Sequence, residues 1–208
     1  MANLKDQPVG SLKITSPEVT ATHFMPEFLH GFTAKYSRIT VELIATNQHL
    51  DIIRERVDFA FRVGDVTGQD LIVRRISSIH RSLVASPAYL TISAPLRDPS
   101  DLSGHRCLLH DAQCDWSFTS RDQCISLRPP AAATSDSMGF LLHTSIAGGG
   151  IVLLPAYVCQ PAIASGRLVA LLPGWEIPSY DMVLISPRLK NQSKAQTAFR
   201  SYADAFDF

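Results

Sequence analysis

The sequence has no excess of either charge: 19 Lys and Arg stand against 19 Asp and Glu among 208 residues. A surface that grips DNA needs a cationic surplus, because neutralising phosphates dominates such binding, so the chain alone does not read as a DNA-binding module. Long apolar runs are missing too. None reaches the roughly 20 residues of a membrane helix, and the opening MANLKDQPVG lacks the apolar stretch of a secretory signal. A cytoplasmic location and no membrane partner are therefore expected. Cysteine is scarce and scattered: Cys107, Cys114, Cys124 and Cys159 form no CxxC pair and have no histidine at zinc-ligand spacing. They read as free thiols with no metal role.

Catalytic signatures are also lacking. No serine sits in a G-x-S-x-G elbow, and the seven histidines form no HExxH or HxH pattern. His143 falls on an amphipathic helix and reads as a surface or cleft-wall residue. No residue set nominates a reaction, so no enzyme and no cofactor are expected.

What is present is an α/β pattern. Hydrophobic residues make up 46% and charged residues 18%, a globular composition. Residues 12–16 alternate as a strand stopped by Pro17. Phe24, Phe28, Leu29, Phe32 and Tyr36 fall on one face of a helix over 23–36, with Pro26 in its first turn. Residues 39–45 alternate as a second strand. A short helix over 48–56 and an apolar strand over 57–61 follow. This β-α-β-α-β order predicts parallel strands with right-handed crossovers. Strands are predicted over 71–78 and 81–85, with Arg74, Arg75 and Arg81 as a solvated strand edge, then a short helix opening at 87–90. Residues 106–110, 116–118 and 124–127 read as short strands of a second lobe.

Residues 135–155, SDSMGFLLHTSIAGGGIVLLP, hold the clearest unit. Met138, Leu141, Leu142 and Ile146 repeat at helical spacing, with Ser135 or Asp136 as the N-cap. Gly148, Gly149 and Gly150 end that helix, and residues 151–154 read as a strand buried on both faces. The glycines follow a helix and precede a strand, so they are no phosphate loop, which would sit between a strand and the next helix. A helix over 156–165, strands over 168–172 and 181–185, and a helix over 194–206 complete the chain.

The remaining chemistry is binding. Helix N-termini after the first strand and at Asp136 offer amides to a small anion. Thr15 and Ser16 add hydroxyls, and Arg62 stands just past a buried strand, able to grip an acid with two parallel hydrogen bonds. Each also has a plainer reading: turn chemistry for the hydroxyls, a structural ion pair for the arginine. All lie at strand C-terminal or helix N-terminal ends, where open α/β sheets bind ligands.

Five segments carry a resemblance: GSLKITSP at 10–17, VDFAFRVG at 57–64, ASPAYL at 85–90, DLSGHRC at 101–107 and GGGIVLLP at 148–155. Together they resemble the effector-binding domain of LysR-type transcriptional regulators. The resemblance implies a type 2 periplasmic-binding-protein-like α/β fold: two lobes, residues 10–81 with 183–208 and residues 82–182, a ligand cleft between them and two crossover segments. It implies that residues 1–9 are the end of a linker, and that a DNA-binding helix-turn-helix precedes this chain in the full protein. By position it implies an effector site of Thr15, Ser16, Pro17, Thr46, Asn47, Arg62, Val63, Gly64, Ser86, Asp136, Ser137 and Met138. The expected ligand is a small-molecule effector, a carboxylate or aromatic acid. The implied partners are a second copy or three more (a homodimer or homotetramer), DNA through the absent domain, and RNA polymerase. Two other classes stay open: a solute-binding protein of a transport system, and a thiol-based sensor using Cys107, Cys114 or Cys124.

Overall fold

The computed structural model describes residues 7–64, 66, 68–121, 123–188 and 191–206. The chain divides into two compact units, residues 1–78 with 180–208 and residues 79–179, so it passes from one to the other twice.

The first unit is built on a five-stranded mixed sheet. Its strands are β1 (Gly10–Ser16), β2 (Ile39–Ala45), β3 (Phe59–Val63), β4 (Leu71–Ile79) and β12 (Tyr180–Pro187), in the order β2-β1-β3-β12-β4. β1 runs parallel to both β2 and β3, as the alternation of strand and helix requires. β12 returns antiparallel to β3. On one face lie α2 (Met25–Lys35) and α6 (Lys194–Ala205). Phe28 and Phe32 of α2 meet Phe199 of α6 edge-on, at centroid distances of 5.4 and 5.0 Å. Phe61 joins from β3, 5.6 Å from Phe28. Each of these buried rings is worth about 1.5–3 kcal/mol by area alone, and the edge-to-face geometry adds to it. On the other face Ile52, Val57, Ala60, Val183 and Ile185 form a smaller cluster under the connection that follows β2.

That connection departs from expectation, because no helix forms over 48–56. Asp51 Oδ1 accepts the amides of Ile53 and Arg54, the Val57 amide returns to the Ile52 carbonyl, and Arg56 takes a left-handed φ of 53°. These bonds close a single capped turn, too short for the costly nucleation of a helix to be repaid by propagation. The next strand consequently starts at Phe59, not residue 57. The expected helix over 23–36 is α2, which starts at Met25, and an additional short helix, α1 (Glu18–His23), precedes it and meets it at Phe24. Pro26 lacks the N–H that a continuous helix would need, and its ring would strike the Thr22 carbonyl.

The second unit holds β5 (Arg81–Ala85), β6 (Cys107–His110), β9 (Ala131–Ser135), β10 (Ile151–Pro155) and β11 (Val169–Ala170), in the order β11-β5-β10-β6-β9. Its hairpin is β7 (Trp116–Thr119) with β8 (Cys124–Leu127). Helices α3 (Pro87–Ile92), α4 (Met138–Ile146) and α5 (Ala156–Ala164) complete it. β10 is parallel to β6, antiparallel to β5 and buried at all five positions. Gly150 has a φ of +148°, and a Cβ there would overlap the Arg106 carbonyl oxygen, which accepts the Ile151 amide at 2.8 Å. Only glycine allows that approach. The strand expected over 168–172 is reduced to two residues, since Leu172 turns to a φ of 51° ahead of Pro173.

Arg81 corrects the expectation of a solvated arginine edge. It is buried, and its Nε and Nη2 donate to the Pro178 carbonyl at 3.0 and 2.8 Å. Arg74 and Arg75 are exposed and pair with Asp204 and Asp181.

Candidate functional site

In the first unit, Thr15 and Ser16 end β1, Ala45 ends β2, and Arg62 and Val63 end β3; the parallel register sets Ser16 beside Ala45 and Thr15 beside Ala60, two residues before Arg62. The Thr46 amide donates to the Ser16 carbonyl at 2.9 Å. Asn47 Oδ1 accepts the Glu18 amide at 3.1 Å, and Thr46 Oγ1 accepts the Gln48 amide at 3.2 Å. Asn47 thus fills part of the amide set that α1 was expected to present to a ligand. Thr15 and Ser16 are fully buried, Pro17 and Thr46 half-buried, and Asn47 exposed. Val63 pairs with Met182, and the Gly64 amide donates to the Asp181 carbonyl.

Arg62 is the unusual member. It is 8% exposed. Its Nη1 donates to the Phe61 carbonyl at 2.9 Å, and its Nη2 to Thr15 Oγ1 at 3.2 Å and the Gln48 carbonyl at 3.5 Å. Every acceptor is uncharged. Among the described residues no carboxylate oxygen lies within ion-pair distance of it. Burial pushes its pKa below the usual arginine value, since desolvation disfavours the charged form. Among the described residues the expected structural ion pair is therefore not what holds Arg62, and the cation there meets only dipoles.

The second unit collects the other four expected residues on two elements. Ser86 is buried and caps α3, its Oγ accepting the Tyr89 amide at 3.3 Å. The N-cap of α4 is Ser137, not Ser135 or Asp136: its Oγ accepts the Phe140 amide, while Ser135 Oγ accepts the Ser137 amide at 3.0 Å. β9, which ends at Ser135, sets this start one residue later than periodicity suggests. Asp136 is exposed, and Ser137 and Met138 are half-buried.

Two features escaped the sequence. His110, opposite Ser135 in the β6–β9 pairing, lies 3.0 Å through Nε2 from the Asp136 carbonyl and so fixes the entry to α4. In the first unit, a pocket of about 290 Å³ opens beside Arg62, floored by Ala60, Ile52, Leu71 and Ile185. Ala60 and Arg62 are two apart on one strand and so share a face, which was a usable signal. Leu71 and Ile185 reach the pocket only through the sheet order. Among the described residues no cluster of three or more His, Cys, Asp or Glu could hold a metal ion, and no helix is long and apolar enough to cross a membrane.

Comparison with known proteins places this architecture. The model of the LysR substrate binding domain matches residues 5–206. The HTH-type transcriptional regulator PtxR of Pseudomonas aeruginosa is 26% identical over 202 residues, covering 95% of this chain and 64% of PtxR. The chain thus spans less than two thirds of that relative. The regulatory domain of AphB from Vibrio vulnificus superposes with a TM-score of 0.77 at 26% identity, covering 96% of this chain and 99% of that one. The CrgA regulatory domain from Neisseria meningitidis shares the fold, with a TM-score of 0.82 at 21% identity over 95% of this chain and 98% of that one. With a family match over nearly its whole length and this mixed α/β fold of the two-lobe, periplasmic-binding-protein-like class, the chain belongs to the LysR substrate-binding domains, the effector-binding domains of LysR-type regulators.

Proposed function

We propose that this domain senses a small organic acid and passes the signal to a DNA-binding domain preceding it in the full protein. The observation that carries this is Arg62: a buried cation without a carboxylate partner among the described residues, at the C-terminal edge of parallel strands. A buried charge is costly unless paired, and an anionic ligand would supply the missing partner. Thr15, Ser16, Pro17, Thr46, Asn47, Val63 and Gly64 would line the first lobe's side of the effector cleft, and Ser86, Asp136, Ser137 and Met138 the second's.

Binding would act by differential affinity for two arrangements of the domain, shifting their populations. The domain carries out no reaction and needs no cofactor in this reading. The full protein would work in the cytoplasm as a homodimer or homotetramer, touching DNA through its other domain and answering to RNA polymerase. Thermal-shift measurement against a panel of small carboxylates tests the sensing role. At least one acid is expected to raise Tm in a saturable way, and a panel without any such acid overturns the reading.

A further inference from the structure

The pocket beside Arg62 lies wholly within the first unit, and only Arg62 among the expected effector residues lines it. Its walls divide by chemistry. Ala60, Ile52 and Ile185 are buried members of one apolar cluster, with Leu71 packed against them. At one wall stands Arg62, whose Nε–H and one Nη1–H are unpartnered among the described residues and whose three hydrogen bonds go only to neutral oxygens. The rim carries two exposed carboxylates, Asp51 and Asp70. Asp51 already accepts two amides through Oδ1, which spends part of its charge on the turn.

We propose that this pocket is a binding site for a small monocarboxylate with an apolar body, its carboxylate on Arg62 and its chain on the Ala60–Ile185 floor. The inference rests on the effector reading and adds a place and a selectivity to it. About 290 Å³ is at the small end of ligand sites, which run from roughly 300 to 1,000 Å³, so the ligand is fragment-sized. The free Nε–H can give a carboxylate a charge-assisted hydrogen bond, and the weak hydration of a guanidinium suits a desolvated wall. The acidic rim sets the selectivity. A second carboxylate at the far end of the ligand would meet Asp51 and Asp70, and like charges repel. The site therefore accepts one negative charge, buried, and rejects a second at the mouth.

Three six-carbon probes separate these terms: hexanoate, hexanamide and adipate, which differ only in the presence of one, no or two carboxylates. Titration of the full 208-residue chain followed by NMR is expected to give hexanoate at least about tenfold tighter binding than either of the others. In wild-type protein labelled at isoleucine and methionine methyls, the bound hexanoate chain is expected to show NOEs to Ile52 and Ile185. Arg62→Lys keeps the charge and loses the Nε–H donor and the planar, weakly hydrated guanidinium, and is expected to weaken hexanoate by about tenfold. The NOE measurement needs no variant, so misfolding of Arg62→Lys cannot mask the outcome. Contacts to the Met138 methyl in place of Ile52 and Ile185 would overturn this site while leaving the effector reading intact. Equal binding of adipate and hexanoate would overturn the selectivity. No binding of hexanoate overturns the pocket proposal, and the wider acid panel then decides the effector reading separately.

Discussion

The Asp58 carboxylate accepts the side-chain amide of Gln196 at 2.7 Å, joining residues 138 positions apart. Its other oxygen accepts the Lys13 amide at 2.8 Å, and the Asp58 amide donates back to the Lys13 carbonyl. Gln196 in turn closes a capping box with Ser193 at the start of α6, its Oε1 accepting the Ser193 amide. One carboxylate therefore ties β1, the entry to β3 and the C-terminal helix into a single polar network. Asp58→Ala is expected to destabilise the protein by about 1–3 kcal/mol, since it strands partners of a half-buried group. Gln196→Ala should cost less, about 1 kcal/mol, because the Asp58–Lys13 bond survives it. Urea unfolding curves of the two variants test the order.

Tyr89 and His105 form a second buried relationship. The Tyr89 hydroxyl accepts the Arg106 amide at 2.9 Å and lies 3.1 Å from His105 Nδ1, while His105 Nε2 is buried without a partner among the described residues. Since the phenol oxygen takes the amide, its own proton is free to go to Nδ1. Tyr89→Phe leaves both the amide and Nδ1 unpaired, and a loss of about 1–3 kcal/mol per stranded group is expected. Thermal unfolding of Tyr89→Phe beside the parent chain reads this loss, and an unchanged Tm would overturn it.

The four thiols differ sharply. Cys124 is exposed and Cys114 half-buried, whereas Cys107 and Cys159 are fully buried, and desolvation pushes both from an ordinary 9.0 up to about 12. A chromogenic disulfide reagent at neutral pH is expected to titrate Cys124 first and to reach Cys107 and Cys159 only on unfolding. The same shift sets an alkaline limit. Between pH 9 and 12 the unfolded chain releases these protons and the folded chain keeps them, so folding stability falls as pH rises. The slope is at most about 1.4 kcal/mol per pH unit per thiol. Cys159→Ala should flatten the decline, and an unchanged slope would remove Cys159 as its source.

The glycine turn gives the sharpest backbone test. Gly148 and Gly150 both have positive φ, 88° and 148°, but only Gly150 would drive a Cβ into a backbone oxygen. Gly150→Ala is expected to cost clearly more than Gly148→Ala, with the latter near the roughly 1–2 kcal/mol of left-handed strain. Equal losses would show that the Arg106 carbonyl gives way.

The elements with strong periodicity were legible. β10, α6 and the alternating β1 and β2 followed from their apolar spacing, because one buried face decides each. What failed were segments whose form depends on a partner. β9 reads as Ala-Ala-Ala-Thr-Ser, its three alanines having little intrinsic preference for a strand, and it exists through pairing with β6 across a register shift at Cys107 and Leu108. The turn at 51–57 is set by Asp51, whose Oδ1 takes two amides and closes it before a second helical turn can form. At the candidate site the ends of β1 and β2 were legible from the alternation of the strands. The pocket floor was not, since Leu71 and Ile185 come together only after β12 inserts beside β3 and β4.

That insertion has a consequence for the order in which a ribosome releases the chain. When β1, β2 and β3 have emerged, the outer edge of β3 has no neighbour, because β12 lies beyond residues 79–179. The second unit is continuous and can fold as soon as it leaves the exit tunnel. The first unit must wait with an open edge until the last strand and helix arrive. In this protein the middle of the chain is finished before its beginning.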